Sequence, residues 1–218
     1  MTQRRILVSL ALAACAAEPP ADGAGSSSSA TTLAGSEGDS GTSSGGAEGS
    51  SSGGTVVVLE LLPTDDATVD NQAPDDNFGG DDILEVENDP PRIQASYLRF
   101  VVDDIEGEIL GASLRLLATE GSDYGGDVFA VDDGDPQMGM QWTEDTLTFN
   151  NAAPVQGDPI DSVVSVPSAS YVVFDVTSAV ALATSHSFAI TTISEDEIEY
   201  SSKEGVDPPL LVVTVMTP

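Results

Sequence analysis

Tyr97, Arg99, Arg115, Trp142 and Lys203 are the side chains here best suited to recognising a ligand rich in hydroxyl or carboxyl groups. Trp142 is the only indole, and its flat face offers a large contact area at little entropic cost, as stacking on a sugar ring requires. It also opens a run of Thr, Leu and Phe that reads as a strand start, so core packing is the competing role. Arg99 and Arg115 carry planar guanidinium groups that bond hydroxyls or carboxylates in pairs. In Ser96-Tyr-Leu-Arg-Phe-Val-Val102, Leu98, Phe100 and Val102 face one way while Tyr97, Arg99 and Val101 face the other. Arg115 alternates in the same manner with Leu114 and Leu116. If the Leu face is the core, Tyr97, Arg99, Arg115 and Lys203 mark an exposed groove on a sheet face. Pairing of these bases with neighbouring acids, Glu204 among them, is the alternative.

The acids suggest a second chemistry. Asp65-Asp66, Asp75-Asp76, Asp81-Asp82, Asp103-Asp104 and Asp132-Asp133-Gly-Asp135 read as turns. Carboxylates grouped on loops are hard oxygen ligands, and Ca2+ gathers about six to eight of them. Asp132, Asp133 and Asp135 are the first candidates for such an ion, Asp65 and Asp66 the second, against plain solvation. Catalysis finds less support. His186 is the only imidazole, and the sequence has no G-x-S-x-G elbow, Gly-rich phosphate loop or His cluster. A carboxylate pair could serve glycoside hydrolysis, but with so many acids some pair arises at any spacing. A non-catalytic protein is expected.

Charge narrows the partners. The 218 residues carry a formal net charge of −31, with 6 Lys and Arg against 37 Asp and Glu. Nucleic-acid binding needs clustered bases and is excluded on this balance. Anionic lipid surfaces and polyanions are repelled on the same ground.

The elements that must position these residues are strands. Runs rich in Val, Ile, Leu, Thr, Tyr and Phe alternate with Asp, Asn, Gly and Pro clusters beyond Thr55. Strands are expected over 55–62, 83–87, 96–102, 110–118, 127–131, 146–150, 162–166, 171–175, 187–193, 198–202 and 210–216, with one short helical stretch over 176–183. So many short strands suit an all-β, two-sheet antiparallel β-sandwich, jelly-roll-like. An immunoglobulin-type sandwich is the second choice, although its Cys…Trp…Cys pattern is absent.

Residues 1–54 have a different character. Arg4 and Arg5 precede the apolar run Ile6–Ala14, too short to span a bilayer and laid out as a secretory signal peptide. It ends in Leu12-Ala-Ala-Cys15, which is similar to the lipobox of bacterial lipoproteins and involves the only Cys. That likeness implies cleavage after Ala14 and acylation of Cys15, and hence export with a lipid anchor in the outer membrane or cell surface. From Ala16 to Gly54 the chain is nearly all Ser, Gly, Ala and Thr, a composition that cannot offset ordering entropy. It is expected to be a disordered tether with a reach on the order of 35 Å. The organisation is therefore signal peptide 1–14, lipidated Cys and linker 15–54, and β-sandwich module 55–218. A monomer is expected.

Several segments of the module carry a family likeness. Asp66-Ala-Thr-Val-Asp70, Pro74-Asp-Asp-Asn-Phe-Gly79, Ile83-Leu-Glu-Val86 and Tyr97-Leu-Arg-Phe100 follow one another, then Gly111-Ala-Ser-Leu-Arg-Leu116. Trp142-Thr-Glu-Asp-Thr-Leu-Thr-Phe-Asn-Asn-Ala-Ala-Pro154, Phe174-Asp-Val-Thr-Ser178, Phe188-Ala-Ile190, Ser201-Ser-Lys-Glu204 and Pro208-Pro-Leu-Leu-Val-Val213 complete the series. In this order they resemble the DNRLRE domain, also called carbohydrate-binding module family 96-like. Phe78, Phe149 and Lys203 depart from the family pattern, which has Tyr, Trp and Arg there. The resemblance implies a secreted β-sandwich that binds a polysaccharide or cell-surface glycan. Some relatives take acidic polysaccharides beside a lyase domain, but the excess of acids here favours a neutral glycan. A structural or adhesive envelope module that contacts protein partners, with no sugar site, is the alternative.

Overall fold

Alternation with period two decides which side of each strand is buried. Leu84 and Val86, Leu98, Phe100 and Val102, Leu114 and Leu116, Val172 and Phe174, and Leu211, Val213 and Val215 all turn into one interior. Phe100 meets Phe188 there at 6.3 Å between ring centroids. Each such side chain contributes about 1.5–3 kcal/mol by leaving water. The computed structural model, which describes residues 8–10, 54–135 and 140–218, places this core between two antiparallel layers.

With strands numbered in chain order, the first layer runs β2 (Thr55–Leu61), β14 (Leu210–Thr217), β6 (Glu108–Ala118) and β11 (Ser170–Asp175). β13 (Ile198–Ser201) meets β6 at Tyr200 and Ala118 and pairs with β4 (Ile83–Asp89). The second layer runs β3 (Asp65–Asp70), β5 (Arg92–Val102), β12 (Thr184–Thr191), β7 (Ser122–Val131) and β10 (Asp161–Val166). β4 joins the layers, since its first residues pair with β13 and its last with β5. A two-residue ladder of β8 (Gly134–Asp135) and β9 (Met140–Gln141) leads into the segment 142–155, and β1 (Val8–Leu10) pairs with β2. The all-β, two-sheet antiparallel sandwich expected from the sequence is the observed architecture.

Three local expectations are corrected. Residues 146–150 form turns, not a strand, because Thr146 and Leu147 N–H both bond back to Thr143 O at 3.0 Å. Asp65 and Asp66 do not lie in a turn; they open β3, buried opposite Arg99 and Leu98. The helical stretch shrinks to one 3-10 turn, Thr177–Ala179. Among the described residues no helix is long and apolar enough to cross a membrane. Cys15 and the linker up to residue 53 lie outside the described residues, and Asp135 is described only by its place in β8.

Candidate functional site

The outer face of the second layer gathers four of the five candidate recognition residues, and it is covered. Tyr97 points away from Leu98 and Phe100, as alternation requires, but it is only 4% exposed and joins Ala67, Val69, Trp142, Leu147 and Ala189 in a second, smaller core. The 142–155 segment lies over it. Tyr97 donates its hydroxyl hydrogen bond to Ala153 O at 2.7 Å, and burial pushes its phenol up to about 12. Trp142, 8% exposed, sits edge-on to Tyr97 and donates from Nε1 to Ser187 Oγ at 3.0 Å. Arg99, 9% exposed, pairs with Asp65 through Nε at 3.0 Å and through Nη2, and stands 5.7 Å from the centre of the Trp142 ring. The expected open groove over Tyr97 and Arg99 is therefore a packed layer.

A period-two reading finds the face of a strand but not the irregular segment that lies on it. The clasp for that segment is the turn Pro74–Gly79. Asn77 Nδ2 donates to the carbonyls of Glu144 and of Leu147, the latter at 2.7 Å. Asn150 N donates to Pro74 O at 3.1 Å and Asn150 Nδ2 to Asp75 Oδ1 at 2.8 Å. Gly79 backs directly onto Glu144, where a Cβ would lie 2.2 Å from the carbonyl oxygen.

Lys203 closes the same cluster. Its ammonium pairs with Glu144 and with Glu204, the latter at 3.0 Å, while its N–H donates to Asp66 Oδ2 at 2.8 Å. Asp66 is 1% exposed and its Oδ1 has no hydrogen-bond partner. Burial, opposed by the Lys203 N–H and reinforced by Glu204, raises its carboxyl to about 7. Among the candidate calcium ligands, Asp65 and Asp66 are thus committed to Arg99 and to Lys203. Asp133 accepts from the Ser185 and Ser187 hydroxyls beside a small depression of about 240 Å³, and Asp132 is exposed. His186 Nε2 lies 2.8 Å from Ala181 O and 3.0 Å from Ala181 N.

Arg115 stands apart from the other candidates, because β6 belongs to the first layer and β5 to the second. The outer face of the first layer is open. Across it run the rows Leu210–Arg115–Val173 and Glu60–Val212–Ser113–Asp175. Arg115 lies over the Tyr171 ring, 4.9 Å from its centre, and Tyr171 is 54% exposed. Among the described residues Arg115 is the one basic side chain outside an ion pair; Arg92, Arg99 and Lys203 each face carboxylates. The Tyr171 hydroxyl donates to Asp207 Oδ2.

Beside this stack lies an open depression of about 440 Å³, lined by Ser113, Asp161, Asp175, Thr177, Val173 and Val212 among others. Thr177 donates from Oγ1 to Asp175 Oδ1 at 2.6 Å and from N at 3.0 Å, which holds the Asp175 carboxyl below its ordinary value. Asp161 Oδ2 accepts from Asp175 N at 2.8 Å. Gly111 leaves the floor bare: a Cβ there would meet only Thr177 Oγ1, at 3.9 Å. Carboxylates and hydroxyls in a shallow depression, with the Tyr171 ring on the same sheet face outside it, match the edge and face of a pyranose.

Sequence reasoning missed Tyr171, Asp175 and Gly111. The signal for the first two was present in Tyr171-Val-Val-Phe-Asp175, where Val172 and Phe174 turn inward and leave Tyr171, Val173 and Asp175 facing out.

No curated protein sequence matches the chain. The family model for carbohydrate-binding module family 96 matches residues 58–215, from β2 to β14 and across both faces just described, and the chain belongs to that family.

Proposed function

We propose that this domain is a non-catalytic carbohydrate-binding module that holds a neutral glycan on the open face of its first layer. One observation carries the reading: the exposed Tyr171–Arg115 stack, whose cross-strand neighbour Val173 lines an open depression that also holds Ser113, Asp161 and Asp175. The ring of Tyr171 supplies the stacking surface, Arg115 and the Ser113 hydroxyl donate to ring and hydroxyl oxygens, and Asp161 and Asp175 accept from sugar hydroxyls. Family membership supports the ligand class.

The same reading makes the protein an exported monomer. Its signal peptide is removed, Cys15 is acylated, and the linker up to Gly54 lets the module search for glycan from the outer membrane or cell surface. Binding of the full-length protein to a panel of neutral and acidic polysaccharides tests it. Tyr171→Ala and Arg115→Ala are each expected to weaken retention by about tenfold, and Gly111→Trp to block it, all with unchanged melting temperature. Equal retention by all three variants and the wild type would remove the site from this face. No retention by the folded wild type on any polymer would favour an envelope module that contacts protein.

A further inference from the structure

At the end of the sandwich where β4 passes between layers, three carboxylates converge. Glu85 on β4 stands directly opposite Glu199 on β13 in the antiparallel ladder, an arrangement of like charges that destabilises a sheet. Glu197, two residues before Glu199, shares its face. One carboxylate oxygen from each of Glu85, Glu197 and Glu199 lies within 4.8 Å of the others. All three side chains are partly buried. The nearest base, Arg92, is committed first to Asp70 at 3.1 Å, and reaches Glu85 only at 3.7 Å and Glu87 at 3.5 Å. Among the described residues neither Glu197 nor Glu199 has an ion-pair partner, and Glu199 accepts a long hydrogen bond from Thr119 Oγ1 at 3.4 Å.

Gln94 supplies the independent observation. It is 2% exposed, it donates from Nε2 to Glu85 Oε2 at 2.6 Å, and its Oε1 is buried with no hydrogen-bond partner. Buried amide oxygens are almost always satisfied. A half-turn of the terminal amide presents Oε1 to the carboxylates in place of Nε2, an orientation that a cation among them makes favourable. The donor set is oxygen alone, which selects a hard ion over zinc or copper. Calcium accepts an irregular set of carboxylate and amide oxygens, whereas magnesium demands a near-ideal octahedron and usually keeps several of its waters.

We propose that Glu85, Glu197, Glu199 and Gln94 bind one Ca2+, which ties β4 and β13 of the first layer to β5 of the second. This goes beyond glycan binding and does not depend on it. The site differs from the aspartate loops that the sequence suggested.

The test is calorimetric titration of the full-length protein with CaCl2 and with MgCl2, alongside thermal unfolding in calcium and in EDTA. Glu199→Gln and Glu197→Gln are the variants, and Glu106→Gln, an exposed acid elsewhere, is the control. The wild type and Glu106→Gln are expected to show one saturable calcium site and a melting temperature about 5 °C higher in calcium. Both Glu-to-Gln variants at the site are expected to lose that rise while melting no lower than wild type in EDTA, because the change relieves like-charge repulsion. Equal calcium and magnesium effects, an undiminished rise in the site variants, or no rise in the wild type would each overturn the proposal.

Discussion

Asp66 is a carboxylic acid placed where its charge is poorly compensated. It opens β3 beside Ala67, accepts one hydrogen bond from Lys203 N, and leaves Oδ1 without a donor. Burial raises its carboxyl to about 7 against an ordinary 3.8, so between those values the folded protein holds a proton that the unfolded chain releases. The stabilisation from that proton is complete below about pH 4 and is lost as pH rises through 7. Wild type should therefore lose about 2 kcal/mol between pH 5.5 and pH 8 relative to Asp66→Asn. Urea unfolding of both proteins at the two pH values measures the difference, and parallel pH dependence would refute it. Arg99 illustrates the opposite case, a buried charge fully met by Asp65. Leaving such a partner alone in a buried site costs about 3–5 kcal/mol, so the conspicuous Arg of the Tyr-Leu-Arg-Phe segment serves packing. The sequence showed that Arg99 and Tyr97 share a face; it did not show that the face is covered, because cover comes from residues some fifty positions away.

At the scale of elements, the Pro74–Gly79 turn and the 142–155 segment are one device. The two most distinctive sequence blocks of the module meet each other, not a ligand: Asn77 bonds the backbone of Glu144 and Leu147, and Gly79 has no space for a side chain against Glu144. Gly79→Ala puts a Cβ into the Glu144 carbonyl and must displace the segment. Overpacking of this kind costs about 1–3 kcal/mol. Since Trp142 is the only indole, its emission reports the displacement. The expected result is a red-shifted maximum and faster proteolysis within 142–155, with glycan retention on the other layer unchanged. An unshifted spectrum and unchanged cleavage would show that the turn does not hold the segment. Strands were legible wherever apolar alternation was clean, as in β5, β6 and β14. β3 was obscured because Asp65-Asp66 read as a turn, although Asp65 is met by Arg99 inside the fold and Asp66 accepts from Lys203 N–H. Residues 146–150 looked like a strand because Leu147 is buried, yet it is buried as the plug of a turn.

For the whole molecule, charge decides which glycan the open face can hold. The four described bases are scattered over two layers, and only Arg115 keeps its charge unpaired. Asp161 and Asp175 line the depression on the same face, and Asp207 accepts from the Tyr171 hydroxyl, within a chain of formal net charge −31. A polyuronate approaching this face meets repulsion that salt screens, with a Debye length of about 10 Å at 0.1 M and about 3 Å at 1 M. A neutral glycan meets short hydrogen bonds and stacking, which salt hardly alters. Affinity for a neutral polysaccharide is therefore expected to change less than about twofold between 20 mM and 500 mM NaCl. Polyuronate retention should be weak at low salt and rise with it, the reverse of the dependence produced by a basic groove. Affinity electrophoresis in gels cast with each polymer measures both. Tight polyuronate binding at 20 mM NaCl that salt dissolves would mean that Arg115 outweighs its acidic neighbours locally, and that the ligand is acidic despite the charge of the molecule.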